Sequence, residues 1–240
     1  PAAEPGYAFE AGPQLTRTSP TQSVSRWFRF VCWFAQLAAW TGIRTPVVVT
    51  IAIRVAAIAT PVEKAAQLGL VLGIGAFGAM LAAPVWGAIS DRTTSPLGKR
   101  KTWMIVGALA LLAGLLVMAF APNMLILGIG WFVCQVGSNA NQAALNAVMP
   151  DVIPEQQRGT MSGFLGLSTS VAYLIGTFAT QSTSGNALAM FVVPWLLIPI
   201  AVTRMLIFFK HSPAKPGALP RFTLKQLRLS FWRHPVQPAD

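Results

Sequence analysis

The sequence predicts an all-α integral membrane protein, a bundle of six transmembrane helices with both ends on the cytoplasmic side. Composition is the first ground. Of 240 residues, 54% are hydrophobic and 10% charged, with a mean hydropathy of +0.56, whereas a soluble domain has about 25% charged residues. The second is spacing: the apolar residues fall into long blocks, on the scale of the ~20 residues that a bilayer requires. The third is where the charge lies. Of 18 Lys and Arg, 14 fall on the N-terminal side of the membrane, among them Arg26, Arg29, Arg92, Lys99, Arg100, Lys101 and Arg158, while the opposite loops hold only Lys64. Short loops rich in Lys and Arg stay in the cytoplasm, and an even number of spans returns the chain to the same side.

The elements follow in order. Residues 1–25 are polar and rich in Pro, Gly, Ser and Thr, the composition of a disordered cytoplasmic tail. The six-helix bundle occupies 26–210. Span one runs from about Trp27 to Ala59. It exceeds what a bilayer requires, so it tilts, kinks or protrudes, with Pro46 as the expected kink. Span two covers Ala65–Ile89, span three Trp103–Ala121, span four Met124–Val148, span five Met161–Thr180 and span six Ala187–Phe209. Pro150 and Pro154 are expected to end the fourth span, because proline removes a helix donor. Residues 211–240 are again polar and basic.

Several function classes lack support. The net charge of +11 does not indicate nucleic acid, since the basic residues alternate with apolar blocks instead of forming one soluble face. Cys32 and Cys134 sit inside apolar segments and read as small buried hydrophobes rather than a disulfide or metal pair. His211 and His234 lie in the polar C-terminal region. No Cys/His spacing suits a metal, no glycine-rich loop suits a nucleotide, and no nucleophile has a base beside it, so neither a cofactor nor an enzymatic role is expected.

The most specific stretch is 87–101. Gly87 is expected to let the second span pack closely on a neighbour. Asp91 and Arg92 fall where that span ends, Gly98 supplies a tight turn, and Lys99, Arg100 and Lys101 precede the third span. Taken singly, these cations do no more than hold a loop in the cytoplasm. The whole pattern, Gly–x3–Asp-Arg followed by Gly-Lys-Arg-Lys, resembles the loop between helices 2 and 3 of major facilitator transporters. The extra residues between its two parts are similar to the sugar–cation symporter branch (glycoside-pentoside-hexuronide-like) and its bacterial relatives. A second segment, 149–163, resembles the loop between helices 4 and 5 of the same proteins and contains Asp151, Glu155, Arg158, Gly159 and Gly163. Gly159 and Gly163 are expected to allow tight packing where the fifth span begins.

The resemblance covers about residues 26–240 and implies the N-terminal six-helix half of a two-half fold, with a C-terminal six-helix half as partner. Residues 211–240 resemble the linker between halves. Three arrangements account for six helices: a gene product split in two, a fragment of a longer chain, or a homodimer. The resemblance also implies a cytoplasmic gating motif in which Asp151, Glu155 and Arg158 cluster with residues 91–101.

Candidate pathway residues come from polar groups inside spans, which are functional by default. Gln135, Asn139, Gln142 and Asn146 are spaced 4, 3 and 4, which places them on one helical face. Amides offer donors and acceptors suited to a neutral, hydroxyl-rich solute, though they also serve helix–helix hydrogen bonds. Gln36, Trp40 and Arg44 share a face of span one, and Arg44 requires water, an anionic solute or a carboxylate from the second half. Tyr173 of span five is a further candidate. Arg54 and Arg204 are expected to snorkel to the nearer surface, and Gly69, Gly73, Gly75 and Gly78 to serve close packing. No Asp or Glu lies within a span, so this half offers no carboxylate for coupling to a cation. The resulting expectation is secondary active or facilitative transport of a small polar solute, sugar-like, by alternating access in the plasma membrane. The alternative is a non-transporting scaffold built on the same bundle.

Overall fold

The computed structural model describes residues 23–208, except residues 94 and 96 and the side chains of Ala88, Asp91, Arg92, Lys99, Pro150 and Asp151. Among the described residues every regular element is helical: α1 (Arg26–Thr45), a π-helical turn (Pro46–Thr50), α2 (Ile51–Ile58), α3 (Lys64–Arg92), α4 (Lys99–Ala119), α5 (Met124–Val152), α6 (Glu155–Ser182), α7 (Ala187–Trp195) and α8 (Leu197–Phe208). Five stretches are long and apolar enough to cross a membrane: Arg26–Ile58, Lys64–Gly87, Arg100–Ala119, Glu155–Ser182 and Ala187–Phe208. α5 is as long as α3, at 29 residues, yet falls outside that set. Its Gln135, Asn139, Asn141, Gln142 and Asn146 make it the most amide-rich of the helices.

Local chemistry explains most of the boundaries. Ser25 caps α1 by accepting from the Phe28 N–H at 3.1 Å, Asn123 caps α5 through Ile126 at 3.0 Å, and Asn186 caps α7 through Ala189 at 3.1 Å. Each satisfies a donor that the first turn otherwise leaves unpaired. Gly98 precedes α4 at φ 95°, and its N–H donates to the Ser95 carbonyl at 2.8 Å. The positive φ is open to glycine and strained for other residues.

Proline effects differ from expectation in three places. Pro46 does not merely bend span one. It lacks the N–H that would meet Gly42, and the ladder re-forms as a π turn closed by the Ile51 N–H on the Pro46 carbonyl. Pro150 lies inside α5, which continues to Val152. The stop comes from Pro154, which disfavours helical backbone at the residue before it; Ile153 is accordingly extended, at φ −92° and ψ 122°. The last span is two helices broken at Leu196, whose N–H is shared between the Val192 and Val193 carbonyls at 3.2 Å each. Pro199 has no N–H for Trp195, so the ladder lapses there.

Two further boundaries move outward from the expected ones. α6 begins at Glu155, not Met161, because its first turn is polar and stands outside the apolar block. Lys99, Arg100 and Lys101 do not precede α4 but form its first turn. Cations are disfavoured by the dipole at a helix N-terminus. Here Arg100 is buried and donates to Ser90 Oγ at 3.0 Å, while Lys101 Nζ donates to the Leu206 carbonyl at 2.8 Å, at the end of α8.

Helices α3, α4 and α5 form one packed group, and α1, α6 and α8 another, joined by α1 on α5, α4 on α7 and α6 on α7. Glycine sets the α4–α5 separation. A Cβ at Gly107, Gly114 or Gly137 would run into the α5 or α4 backbone, and one at Gly130 into Met118 and the Gly114 carbonyl. Small residues let helix backbones approach where lipid offers no hydrophobic drive for association. Of the span-two glycines, Gly75 and Gly78 pack under Trp131 and Phe132, whereas Gly69 and Gly73 meet nothing within 4 Å. Gly87, Gly159 and Gly163 also meet nothing within 4 Å among the described residues, contrary to the close packing expected there. Three indole N–H groups tie helices together. Trp86 donates to the Val136 carbonyl at 2.9 Å, Trp195 to that of Ala108 at 3.1 Å, and Trp103 to Thr93 Oγ1 at 2.6 Å. The outer surface carries Leu70, Phe77, Met80, Leu109, Leu125, Leu174 and Phe178, all exposed. An apolar surface of that kind suits lipid, not water.

Candidate functional site: a polar cavity between the two helix groups

Where α1, α4, α5 and α8 converge, a cavity of about 230 Å³ opens. α1 contributes Ala39, Trp40, Ile43 and Arg44; α5 contributes Gln135, Ser138, Asn139, Asn141 and Gln142; Ala108, Leu111 and Ile198 form the apolar wall, with Val47 from the π turn. The cavity thus has a cation and five small polar side chains facing an aliphatic wall, the composition of a small-molecule site.

Arg44 dominates its electrostatics. The guanidinium lies over the Trp40 ring, 4.6 Å from the centroid, and 5.9 Å from the centroid of Tyr173 on α6. Its Nε is buried without a hydrogen-bond partner. Tyr173 therefore joins the site through Arg44 and is half-buried. On α5, Asn139 Nδ2 donates to the Gln135 carbonyl at 2.8 Å, one turn back, which leaves its oxygen as an acceptor. Gln142 Nε2 is buried with no partner. Asn141 is 5% exposed and donates to the Met104 carbonyl of α4 at 2.9 Å, so its amide serves helix–helix bonding. Ser138 Oγ donates to the Gln135 carbonyl at 3.1 Å.

The structure brings together Arg44, Gln135, Asn139, Gln142 and Tyr173 of the expected set. Gln36 is buried elsewhere, in a gap of about 20 Å³ among Cys32, Leu145, Met161 and Met205. Asn146 is exposed and does not line the cavity. Ser138 and Asn141 were not among the expected residues. Both lie at i+3 steps from Gln135, beside the 4, 3, 4 stripe and on the same broad helical face.

At the end of the bundle that carries the 87–101 and 149–163 segments, Gly98 adopts its turn, Arg100 and Lys101 make the bonds given above, Arg158 Nε donates to the Ile153 carbonyl at 3.2 Å, and Glu155 is exposed in the first turn of α6. The side chains of Asp91, Arg92, Lys99 and Asp151 lie outside the described residues, as do the tail and the linker. Arg204 is exposed, and Arg54 donates from Nη2 to the Ala121 carbonyl at 2.8 Å, in the loop beyond the end of α4. Among the described residues no group of His, Cys, Asp and Glu has the arrangement of a metal site.

Residues 30–238 match the sequence model of the Major Facilitator Superfamily, and the chain belongs to that family. Together with its apolar helices this makes it a multi-pass membrane protein. It is similar to a D-xylose transporter of Levilactobacillus brevis, with 27% identity over 168 residues, 70% of this chain and 35% of that relative. The chain therefore spans about a third of the length of the curated relative it matches.

Proposed function

We propose that this chain is the N-terminal half of a secondary active or facilitative transporter that moves a small polar, sugar-like solute across the plasma membrane by alternating access. The observation that carries this reading is the cavity between α1 and α5. Its polar residues come from the first and fourth spans, and rocking of this half against a second half would open and close the pathway around it. α5 is read as a sixth span, because its amides other than Asn146 face protein and cavity, where polar intramembrane groups are tolerated. With six spans and the basic loops on one side, both termini are cytoplasmic. A second six-helix half, on the same or another polypeptide, completes the pathway. Gly87, Asp91, Arg92, Gly98, Lys99, Arg100 and Lys101, with Asp151, Glu155 and Arg158, act as the cytoplasmic gate. Similarity to a D-xylose transporter supports a hydroxylated solute.

The test is uptake of radiolabelled pentoses and hexoses by cells expressing the full-length protein. Asn139→Ala and Gln142→Ala are expected to reduce uptake at least tenfold with unchanged membrane insertion, and Asp91→Lys to abolish net transport while binding persists. A protein that inserts normally and moves no solute is a scaffold, and the reading fails.

A further inference from the structure

A second recess, of about 220 Å³, lies on the outer surface between the start of α1 and the end of α8. Trp27, Phe30, Val31 and Phe34 of α1 line it, with Ile200 and Arg204 of α8. Trp27, Phe30 and Phe34 are spaced 3 and 4, so they form one aromatic stripe over about 10 Å of helix. Trp27 meets Phe208 edge-on, with centroids 6.1 Å apart, which ties the two helix ends together. Val31 is buried, whereas Trp27, Phe30 and Ile200 are exposed, so the recess opens outward. Its helix ends are also the ends of two candidate membrane spans, Arg26–Ile58 and Ala187–Phe208. The recess therefore sits where hydrocarbon gives way to lipid headgroups, the depth at which tryptophan collects.

Two cations flank this apolar slot. Arg204 is exposed within the lining, one turn before Phe208, and Arg26 is exposed one turn before Phe30. Neither guanidinium has an acceptor among the described residues, and the lining includes no carboxylate. Other cations of the bundle are bonded: Arg54 to the Ala121 carbonyl, Arg100 to Ser90, Lys101 to the Leu206 carbonyl and Arg158 to the Ile153 carbonyl. Unmet donors beside an apolar slot complement a molecule with an anionic head and a hydrocarbon tail. We propose that an anionic phospholipid occupies the recess, its phosphate on Arg204 and Arg26 and the upper part of one acyl chain along Trp27, Phe30 and Phe34. Guanidinium donors match phosphate oxygens, and basic side chains at a span end attract anionic lipid. The chain beyond α8 does not complement the recess. Residues 209–240 carry Lys210, Lys215, Arg221, Lys225, Arg228 and Arg233 against Asp240 alone, the same sign of charge. A second copy of α1 and α8 would bring the same cations. The inference rests on the membrane-embedded bundle and not on the polar cavity, so it stands or falls apart from the transport reading.

The experiment titrates the purified full-length protein in neutral detergent with dioleoylphosphatidylglycerol or dioleoylphosphatidylcholine and counts bound lipids by native mass spectrometry. The two lipids share their acyl chains and differ in net charge. The first phosphatidylglycerol is expected to bind about five- to thirtyfold more tightly than the first phosphatidylcholine, the range of one to two interfacial cations. Arg204→Gln is expected to lower that affinity about fivefold. The Arg26→Gln, Arg204→Gln double variant is expected to erase the preference, with phosphatidylcholine binding unchanged in both. Ile200→Trp adds bulk at the exposed rim and is expected to weaken the first lipid of either kind. Lys64→Gln, at the opposite end of the bundle, is expected to change neither. If the double variant does not fold, wild type, Arg204→Gln and Ile200→Trp decide. Equal affinity for the two lipids in wild type overturns the inference and means that another part of the protein fills the recess. A preference that survives in the double variant, one that Lys64→Gln reduces as much as Arg204→Gln does, or a first lipid that ignores Ile200→Trp overturns it as well.

Discussion

Gly98 and Gly107 illustrate two different demands on glycine. Gly98 holds φ 95° at the entrance to α4, so Gly98→Ala forces a side chain into left-handed backbone at a cost of about 1–2 kcal/mol. Thermal unfolding of the purified protein is expected to show that loss, and an unchanged transition would contradict the turn geometry. Gly107 has ordinary helical backbone but lies against the Asn141 N–H and the Gly137 carbonyl. Gly107→Ala is expected to separate α4 from α5 and cost roughly 1–3 kcal/mol, whereas Gly185→Ala, with nothing within 4 Å, should leave unfolding unchanged. The first demand was legible in sequence, because a glycine before a basic helix start marks a turn. The second was not. Which glycine meets a neighbour depends on the register between two helices, so Gly87, Gly159 and Gly163 were expected to pack and do not, while Gly107, Gly114, Gly130 and Gly137 do.

Helix ends follow from a few side chains. Asn123 and Asn186 each satisfy one early donor of a helix that starts just after a loop. Replacing either by Ala is expected to cost about 0.5–2 kcal/mol, and by Ser much less; equal stability of all three forms would deny the cap a role. Arg54 holds the Ala121 carbonyl, so Arg54→Gln should loosen the α4–α5 turn, read as faster hydrogen exchange around residues 119–123, while Arg204→Gln should not. Span limits were largely legible, since apolar blocks register directly in composition. Their inner irregularities were not. Pro46 and Pro199 remove similar donors, yet one accompanies a π turn and the other a full break, so a proline in the sequence marks a lapse in the ladder without specifying its form.

For the whole molecule, the topology makes a simple prediction. Cys32 and Cys134 are buried, so an introduced cysteine is the main target for a membrane-impermeant maleimide. Glu63→Cys, in the exposed turn between α2 and α3, should label on intact cells, and Glu155→Cys only after permeabilisation. The reverse pattern would invert the membrane orientation. The cavity itself was half legible. The 4, 3, 4 spacing on α5 and the i, i+4 pair Trp40 and Arg44 gave its two polar faces. That they face each other, with Gln36 and Asn146 left outside and Ser138 and Asn141 brought in, depends on where α1 crosses α5, which no local pattern encodes.

The central claim is that this cavity is the solute site of an alternating-access carrier. The most direct measurement is the reactivity of a cysteine at Asn139 in a Cys32→Ala, Cys134→Ala background, probed with impermeant thiol reagents from each side of the membrane with and without solute. The account predicts that the position reacts from either side in turn and is protected by whichever solute the protein carries. A residue that reacts from neither side, or reacts equally with and without every transported solute, would contradict it.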